Sequence, residues 1–139
     1  MEIILLLERN FWFAKQKIPT DVKDGIRNLH LKKAVVYIEN HYSERPALSD
    51  IARAASINHS TLTQLFKREL NKTPIEYLFH YRIIVAKKFL EFTNLPIKDV
   101  ALRCGFKTPQ HFSRRFEEIV GSTPGTFRES AVAERKKTF

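Results

Sequence analysis

The sequence predicts an all-α fold, and three observations carry the prediction. Apolar residues recur at spacings of three and four through most of the chain, the period of one helix face. Residues 46–79 and 95–129 repeat one another. Across the junction of those repeats, Pro74–Phe92 carries Ile75, Leu78, Phe79, Ile83, Ala86, Phe89 and Leu90, with no Gly or Pro after its first position. That is the pattern of one long helix. The predicted architecture is two helix-turn-helix subdomains joined by a long connector helix, with one further helix appended at the N-terminus.

Composition sets the outer bounds. With 139 residues, the chain holds one compact domain, or one domain and an appendage. A hydrophobic content of 43% that includes eleven Phe is enough for a packed core. The net charge of +9 favours a polyanionic partner. The excess is +1 in residues 1–30, +4 in 31–95 and +4 in 96–139, so both repeat-bearing segments are basic. The single cysteine, Cys104, excludes an internal disulfide and fits a reducing compartment.

Taken in order, residues 2–16 read as a helix with Ile3, Leu6, Leu7, Asn10, Phe11 and Ala14 on one side. Ile4, Leu5, Trp12 and Phe13 widen its apolar surface, so it must pack on something. The apolar run Ile3–Leu7 is too short to span a bilayer. Glu2 stands where a secretory signal would be basic, so a cytoplasmic protein with no membrane partner is expected. Lys17–Asn28, with Pro19 and Gly25, reads as a linker. Leu31, Ala34, Val35, Ile38 and Tyr42 then mark a helix, and Pro46 closes the gap before the first repeat.

In the first repeat, Leu48, Ile51, Ala52 and Ala55 face inward, and small Ala52 lets two helices cross closely. After the turn at Ser56-Ile57, Asn58 is a strong N-cap for a helix over His59–Leu70. Leu62, Leu65, Phe66 and Leu70 are its buried side. His59, Ser60, Thr61, Thr63, Gln64 and Lys67 are its outer side, and Asn71 its stop. Thr73-Pro74-Ile75-Glu76 is a capping box that opens the connector. At ~1.5 Å per residue the connector is about 28 Å long. B-DNA presents its major groove on one face about every 34 Å, so such a rod could set two helices in successive grooves.

The second repeat opens at Leu95-Pro96-Ile97, and Ile97, Val100, Ala101 and Cys104 give its first apolar face. Gly105 looks like the left-handed stop, Thr108 the N-cap and Pro109 the first helical position. Phe112, Phe116 and Ile119 face inward, while Gln110, Ser113 and Arg114 face out. Gly121 ends this helix. Thr123-Pro124 starts a short last helix that buries Phe127, and Ala131–Phe139, with Arg135-Lys136-Lys137, reads as a frayed basic tail. Two helices joined by a three-residue turn, the second basic on its outer face, have the shape of a helix-turn-helix with its recognition helix.

The duplication is specific. Ile51-Ala52 answers Val100-Ala101, and Ser56-Ile57 answers Gly105-Phe106, at a period of 49. After the turn the period becomes 50: Leu62 answers Phe112, Phe66 answers Phe116, and Asn71-Lys72-Thr73-Pro74 answers Gly121-Ser122-Thr123-Pro124. These units, the connector pattern Tyr81-Arg82-Ile83-x-x-Ala86-x-x-Phe89-Leu90, and the run Gly105-Phe106-x-Thr108-x-x-x-Phe112-Ser113-Arg114-x-Phe116, followed by Gly121-x-Thr123-Pro124-x-x-Phe127-Arg128, resemble the DNA-binding domain of AraC/XylS-type bacterial transcription regulators. The resemblance covers roughly residues 30–129 and implies three parts. Residues 1–29 are a helix and linker that serve dimerisation or remain from a sensor domain. Residues 30–129 are the duplicated DNA-binding domain, and 130–139 are a basic tail.

The resemblance also implies roles. Gln110, Ser113 and Arg114 stand at the family's base-reading positions, flanked by Pro109 and His111. Ser60, Thr63 and Gln64 match them in the first unit, and Lys67, Lys107 and Arg115 are candidates for phosphate contact. Those residue types suit base reading, since Arg pairs with guanine, Gln with adenine, and short side chains meet the thymine methyl. The family usually has Gly where Ser56 stands, and Ser holds a left-handed turn only at some cost. Arg82 is expected to pair with a carboxylate across the connector.

Double-stranded DNA is the expected partner, RNA polymerase a second one by resemblance, and a second copy of the chain a third through residues 3–13. No cofactor is expected. The five His show no metal-ligand spacing, and neither a nucleophile motif nor a Gly-rich phosphate loop is present. The competing class is a protein-interaction module that keeps the fold without reading bases.

Overall fold

The structure, a computed structural model, describes residues 28–138. Its elements are α1 (Leu29–His41), a 3₁₀ turn (Tyr42–Glu44), α2 (Leu48–Ala55), α3 (His59–Leu70), α4 (Pro74–Phe92), α5 (Ile97–Arg103), α6 (Pro109–Val120) and α7 (Pro124–Thr138). The helix expected at 2–16, with its contact surface at 3–13, lies outside the described residues. Among those described, no helix is long and apolar enough to cross a membrane.

Helices α3, α4, α6 and α7 begin where a side chain takes up a free amide. The Thr61 amide donates to Asn58 Oδ1 at 2.8 Å, Glu76 to Thr73 Oγ1 at 3.1 Å, His111 to Thr108 Oγ1 at 3.0 Å and Thr126 to Thr123 Oγ1 at 3.2 Å. Each such cap contributes about 1 kcal/mol and sets the helix start to the residue. At α2 the roles are reversed, and the Ala47 amide donates to Asp50 Oδ2 at 2.9 Å.

The two turns match hydrogen bond for hydrogen bond. The Ser56 amide donates to Arg53 O at 3.1 Å, and the Ile57 amide to Ala52 O at 3.2 Å. One period later, the Gly105 amide donates to Leu102 O and the Phe106 amide to Ala101 O, both at 3.0 Å. Ser56 therefore holds the left-handed conformation, at φ 60°, that Gly105 holds at φ 93°. The helix stops match too, with Asn71 and Gly121 both left-handed.

The core runs through both halves. Leu31, Val35 and Ile38 of α1, Ile51 of α2, and Leu62 and Phe66 of α3 are fully buried members of it in the first half. Val100, Cys104, Phe106, Phe112 and Phe116 are its buried members in the second half. Ring follows ring there: Phe106 to Phe112 at 5.2 Å, Phe112 to Phe116 at 5.7 Å, and Phe116 to Phe127 at 5.5 Å. Phe106, Phe112 and Phe116, all buried, contribute about 2–3 kcal/mol each, so this half of the core is held by packed Phe rings. Cys104 is fully buried, and burial pushes its thiol pKa up, away from reactivity.

Two arginines fasten α4 at its middle and end. Arg82 is 5% exposed, and its Nε donates to the Tyr42 carbonyl at 2.9 Å. The partner of that Nε is thus a main-chain oxygen of the 3₁₀ turn and not the expected carboxylate. The guanidinium also lies over the rings of Phe79 (5.1 Å) and Phe106 (5.6 Å), which replace part of its lost hydration. Burial, with a smaller contribution from the charge of Arg45, lowers the Arg82 pKa to about 10, so it stays charged at neutral pH. At the far end, Arg128 Nε donates to Leu90 O at 3.2 Å and its Nη1 to Leu95 O at 2.7 Å. It takes up a carbonyl that the end of α4 leaves without a helical partner.

The C-terminal segment departs from the expected frayed tail, for α7 continues to Thr138. No Gly or Pro follows Gly125, Ala131 and Ala133 favour helix, and Lys137 pairs with Glu134 at 3.7 Å. Arg135, Lys136 and Lys137 sit in the last turn, where the helix dipole favours positive charge.

Candidate nucleic-acid interface

Each half presents one amphipathic helix with the same face outward. On α3, Leu62, Leu65 and Phe66 are buried, while Ser60, Gln64 and Lys67 are exposed and Thr63 is half-buried between them. On α6, Phe112 and Phe116 are buried, Gln110 and Arg114 are exposed, and Ser113 is half-buried. Residues three and four apart share a helix face, so the spacings 60, 63, 64, 67 and 110, 113, 114 each form one polar stripe. Both stripes begin at the capped end of the helix, where little but the cap stands between side chain and solvent.

The residues expected on α6 do not all point the same way. Pro109 is half-buried at the first helical position. His111 turns inward: its ring packs edge-on against Phe79 and Phe106, both at 5.5 Å. Burial first, and then the charges of Arg114, Arg115 and Arg82, hold its pKa below the usual histidine value. It is therefore neutral at pH 7 and packs as an aromatic. Arg115 is likewise drawn in. Its guanidinium lies 4.4 Å from the centre of the Phe79 ring, and its Nη1 bonds Glu118 at 3.2 Å. Arg114 is left as the exposed arginine of the α6 stripe.

Phe79 is the residue that the sequence alone does not single out. It stands on the first half of α4 yet touches His111, Arg115, Arg82 and Phe106, so the connector buttresses α6 directly. Its apolar type is legible as a core position; its service to the second unit is not, because those contacts lie 27 to 36 residues further along the chain, apart from Arg82. Arg45 is another such residue. Its Nε donates to Gly105 O at 3.2 Å, 60 residues away. Among the described residues, no three His, Cys, Asp or Glu side chains come together as a metal site.

Known proteins share this arrangement. Residues 51–130 match the family model described as a helix-turn-helix domain, more than half of the chain. The chain is 32% identical over 100 residues to the HTH-type transcriptional activator AarP of Providencia stuartii, covering 72% of this chain and 74% of that one. An AraC-type DNA-binding-domain transcriptional regulator from Chromobacterium violaceum superposes with a TM-score of 0.71 at 29% identity, over 73% of this chain and 91% of that one. The DNA-binding domain of AdpA, a global transcriptional factor solved in complex with a target DNA, superposes at 0.73 with 26% identity, over 78% and 98%. The chain spans only 12% to 49% of the length of five other curated regulators that it matches. With its duplicated turns, its connector and these relatives, the chain belongs to the AraC-type helix-turn-helix family of DNA-binding transcription regulators.

Proposed function

We propose that the chain lays α3 and α6 in successive major-groove segments on one face of double-stranded DNA. Gln110, Ser113 and Arg114 would read base edges from α6, and Ser60, Thr63 and Gln64 from α3. Lys67 would meet a phosphate. The observation that supports this reading is the repeated stripe: two capped helices, each with hydrogen-bonding side chains outward at the same spacing and Leu or Phe inward. The two stripes differ in reach. Arg114 can bond a guanine bidentately, whereas Ser60 and Thr63 are short and act more often through water. The second unit would then carry most of the base preference, and the first mostly position and affinity.

Selection of bound sequences from a random DNA pool tests this. A preferred site with two separated conserved segments is expected. Binding that ignores salt, or a pool that yields no motif, would instead support a protein-interaction module. Through its family resemblance the chain would act on transcription by contacting or occluding RNA polymerase. Self-association through residues 3–13 completes the proposal. Deleting residues 1–16 should reduce association, as measured by sedimentation, while the remainder still unfolds cooperatively.

A further inference from the structure

A helix of fixed length sets how far apart two units lie, but not how they are turned about its axis. That angle depends on contacts that bridge the halves. Here the 3₁₀ turn of the first half touches the Gly105 turn of the second. A Cβ built on Gly105 would stand 2.7 Å from Tyr42 O and 3.0 Å from Ser43 Cα, so the two backbones are in contact. Arg82 enters from α4, donates to that same Tyr42 carbonyl and lies over Phe106, the residue after Gly105. Arg45, at the end of the 3₁₀ turn, donates to the Gly105 carbonyl. Phe106 in turn packs on Phe112 of α6. A continuous path of contacts therefore runs from the first half to the second recognition helix.

We propose that Arg45 and Arg82, closing on the Tyr42–Gly105 contact, are positioning residues that fix the angle between α3 and α6 and so set which spacing of two DNA segments the chain accepts. The consequence for DNA rests on the reading of both helices as groove-binding; the clasp itself does not. Neither arginine need touch a base. Rotation of the second half about α4 would pull Gly105 O from Arg45 and Phe106 from Arg82 together. The Gly at position 105 belongs to the same device, since any side chain there would push the turns apart.

The test measures the angle without DNA. Spin labels on Arg68→Cys and Glu117→Cys, both exposed positions on α3 and α6, report the distance between the helices; the native Cys104 is buried and unlabelled. The parent should give one narrow distance, and Arg45→Ala and Arg82→Met broader or shifted ones with helicity retained. Arg45→Ala keeps an L-residue in the same left-handed conformation, and its side chain is exposed, so it decides the matter should Arg82→Met fail to fold. An unchanged width in Arg45→Ala would overturn the proposal. A second arm uses the selected DNA site with one base pair inserted between its segments, which turns the second segment by about 34°. The parent should lose about tenfold or more in affinity, the order of one mismatched pair, and Arg45→Ala markedly less. Equal losses would also count against the clasp. If the parent bound a single segment only, the groove-binding reading would fail while the distance measurement still judged the clasp.

Discussion

Ser56 and Gly105 share one backbone conformation, yet substitutions at them should act in opposite directions. Ser56 is exposed and left-handed, so it carries the strain of a Cβ in that conformation with nothing to offset it. Ser56→Gly should raise stability by about 0.5–1 kcal/mol, the strain relieved less the added freedom of the unfolded chain. Gly105 has φ of 93° and is pressed against Tyr42 O. Gly105→Ala adds that strain and a clash with backbone that cannot step aside, so it should cost about 3 kcal/mol or more. Urea titration of the two variants reads both signs. The polar stripe makes a second contrast. Arg114→Ala should cost about 1–3 kcal/mol on the preferred site and relax the preference at adjacent base pairs. Lys67→Ala should weaken all sites alike and reduce the slope of log K against log salt by about 0.9. A panel of single-base changes at two salt concentrations checks both; uniform weakening by Arg114→Ala would reverse the assignment.

At the scale of elements, α4 matters most. Its bounds, Pro74–Phe92, are the ones the sequence predicts, because a Thr cap with Pro at the first position and an uninterrupted apolar period are local signals. Replacing Val85-Ala86 by Gly-Pro should cost about 3 kcal/mol or more, since Pro removes a helical hydrogen bond and clashes with the preceding turn. Both residues are buried, so packing losses add to that. Two-segment recognition should fail before one-segment binding does, as footprinting would display; unchanged recognition of both segments would mean that the rod does not set the spacing. At α7 the local pattern ends before the helix does. Amphipathic periodicity stops near Phe127, but intrinsic propensity and the i,i+3 pair carry the helix further.

Over the whole molecule, charge and proton binding connect stability to conditions. The excess of +9 should make DNA binding fall steeply as salt rises, through release of counterions. His111 and His80 are both held below the ordinary value of 6.5, burial being the first cause at each. The unfolded chain then binds protons that the folded chain refuses. The contribution of these two groups to stability is fully present above about pH 6.5 and is lost as pH falls through their lowered values. The urea midpoint should therefore drop between pH 7.5 and pH 5.5, and less so in His111→Phe, whose ring fits between Phe79 and Phe106. Equal slopes in parent and variant would show that His111 titrates freely.

Caps, turn types, the buried faces of each helix and the duplication are all determined by the sequence itself. Caps, turns and buried faces depend on residues within about one turn of helix of one another, with Asn58, Thr73, Thr108 and Thr123 acting on amides three positions away, and the duplication is the recurrence of those local signals 49 to 50 residues later. The polar stripes follow from the same periodicity. Only the tertiary structure decided the fate of Arg82, His111, Arg115 and Arg45. Side-chain type marks each as polar and basic; helical spacing separates Arg114, on the outer face, from Arg115, three residues from Phe112, but it does not say that Arg115 is laid on the Phe79 ring. Their partners come from other helices: Tyr42 O lies 40 residues from Arg82, and Gly105 O lies 60 from Arg45. Local pattern can say that an arginine stands at a helix surface, but only the packing of one half against the other determines whether that surface faces water, a ring or a carbonyl.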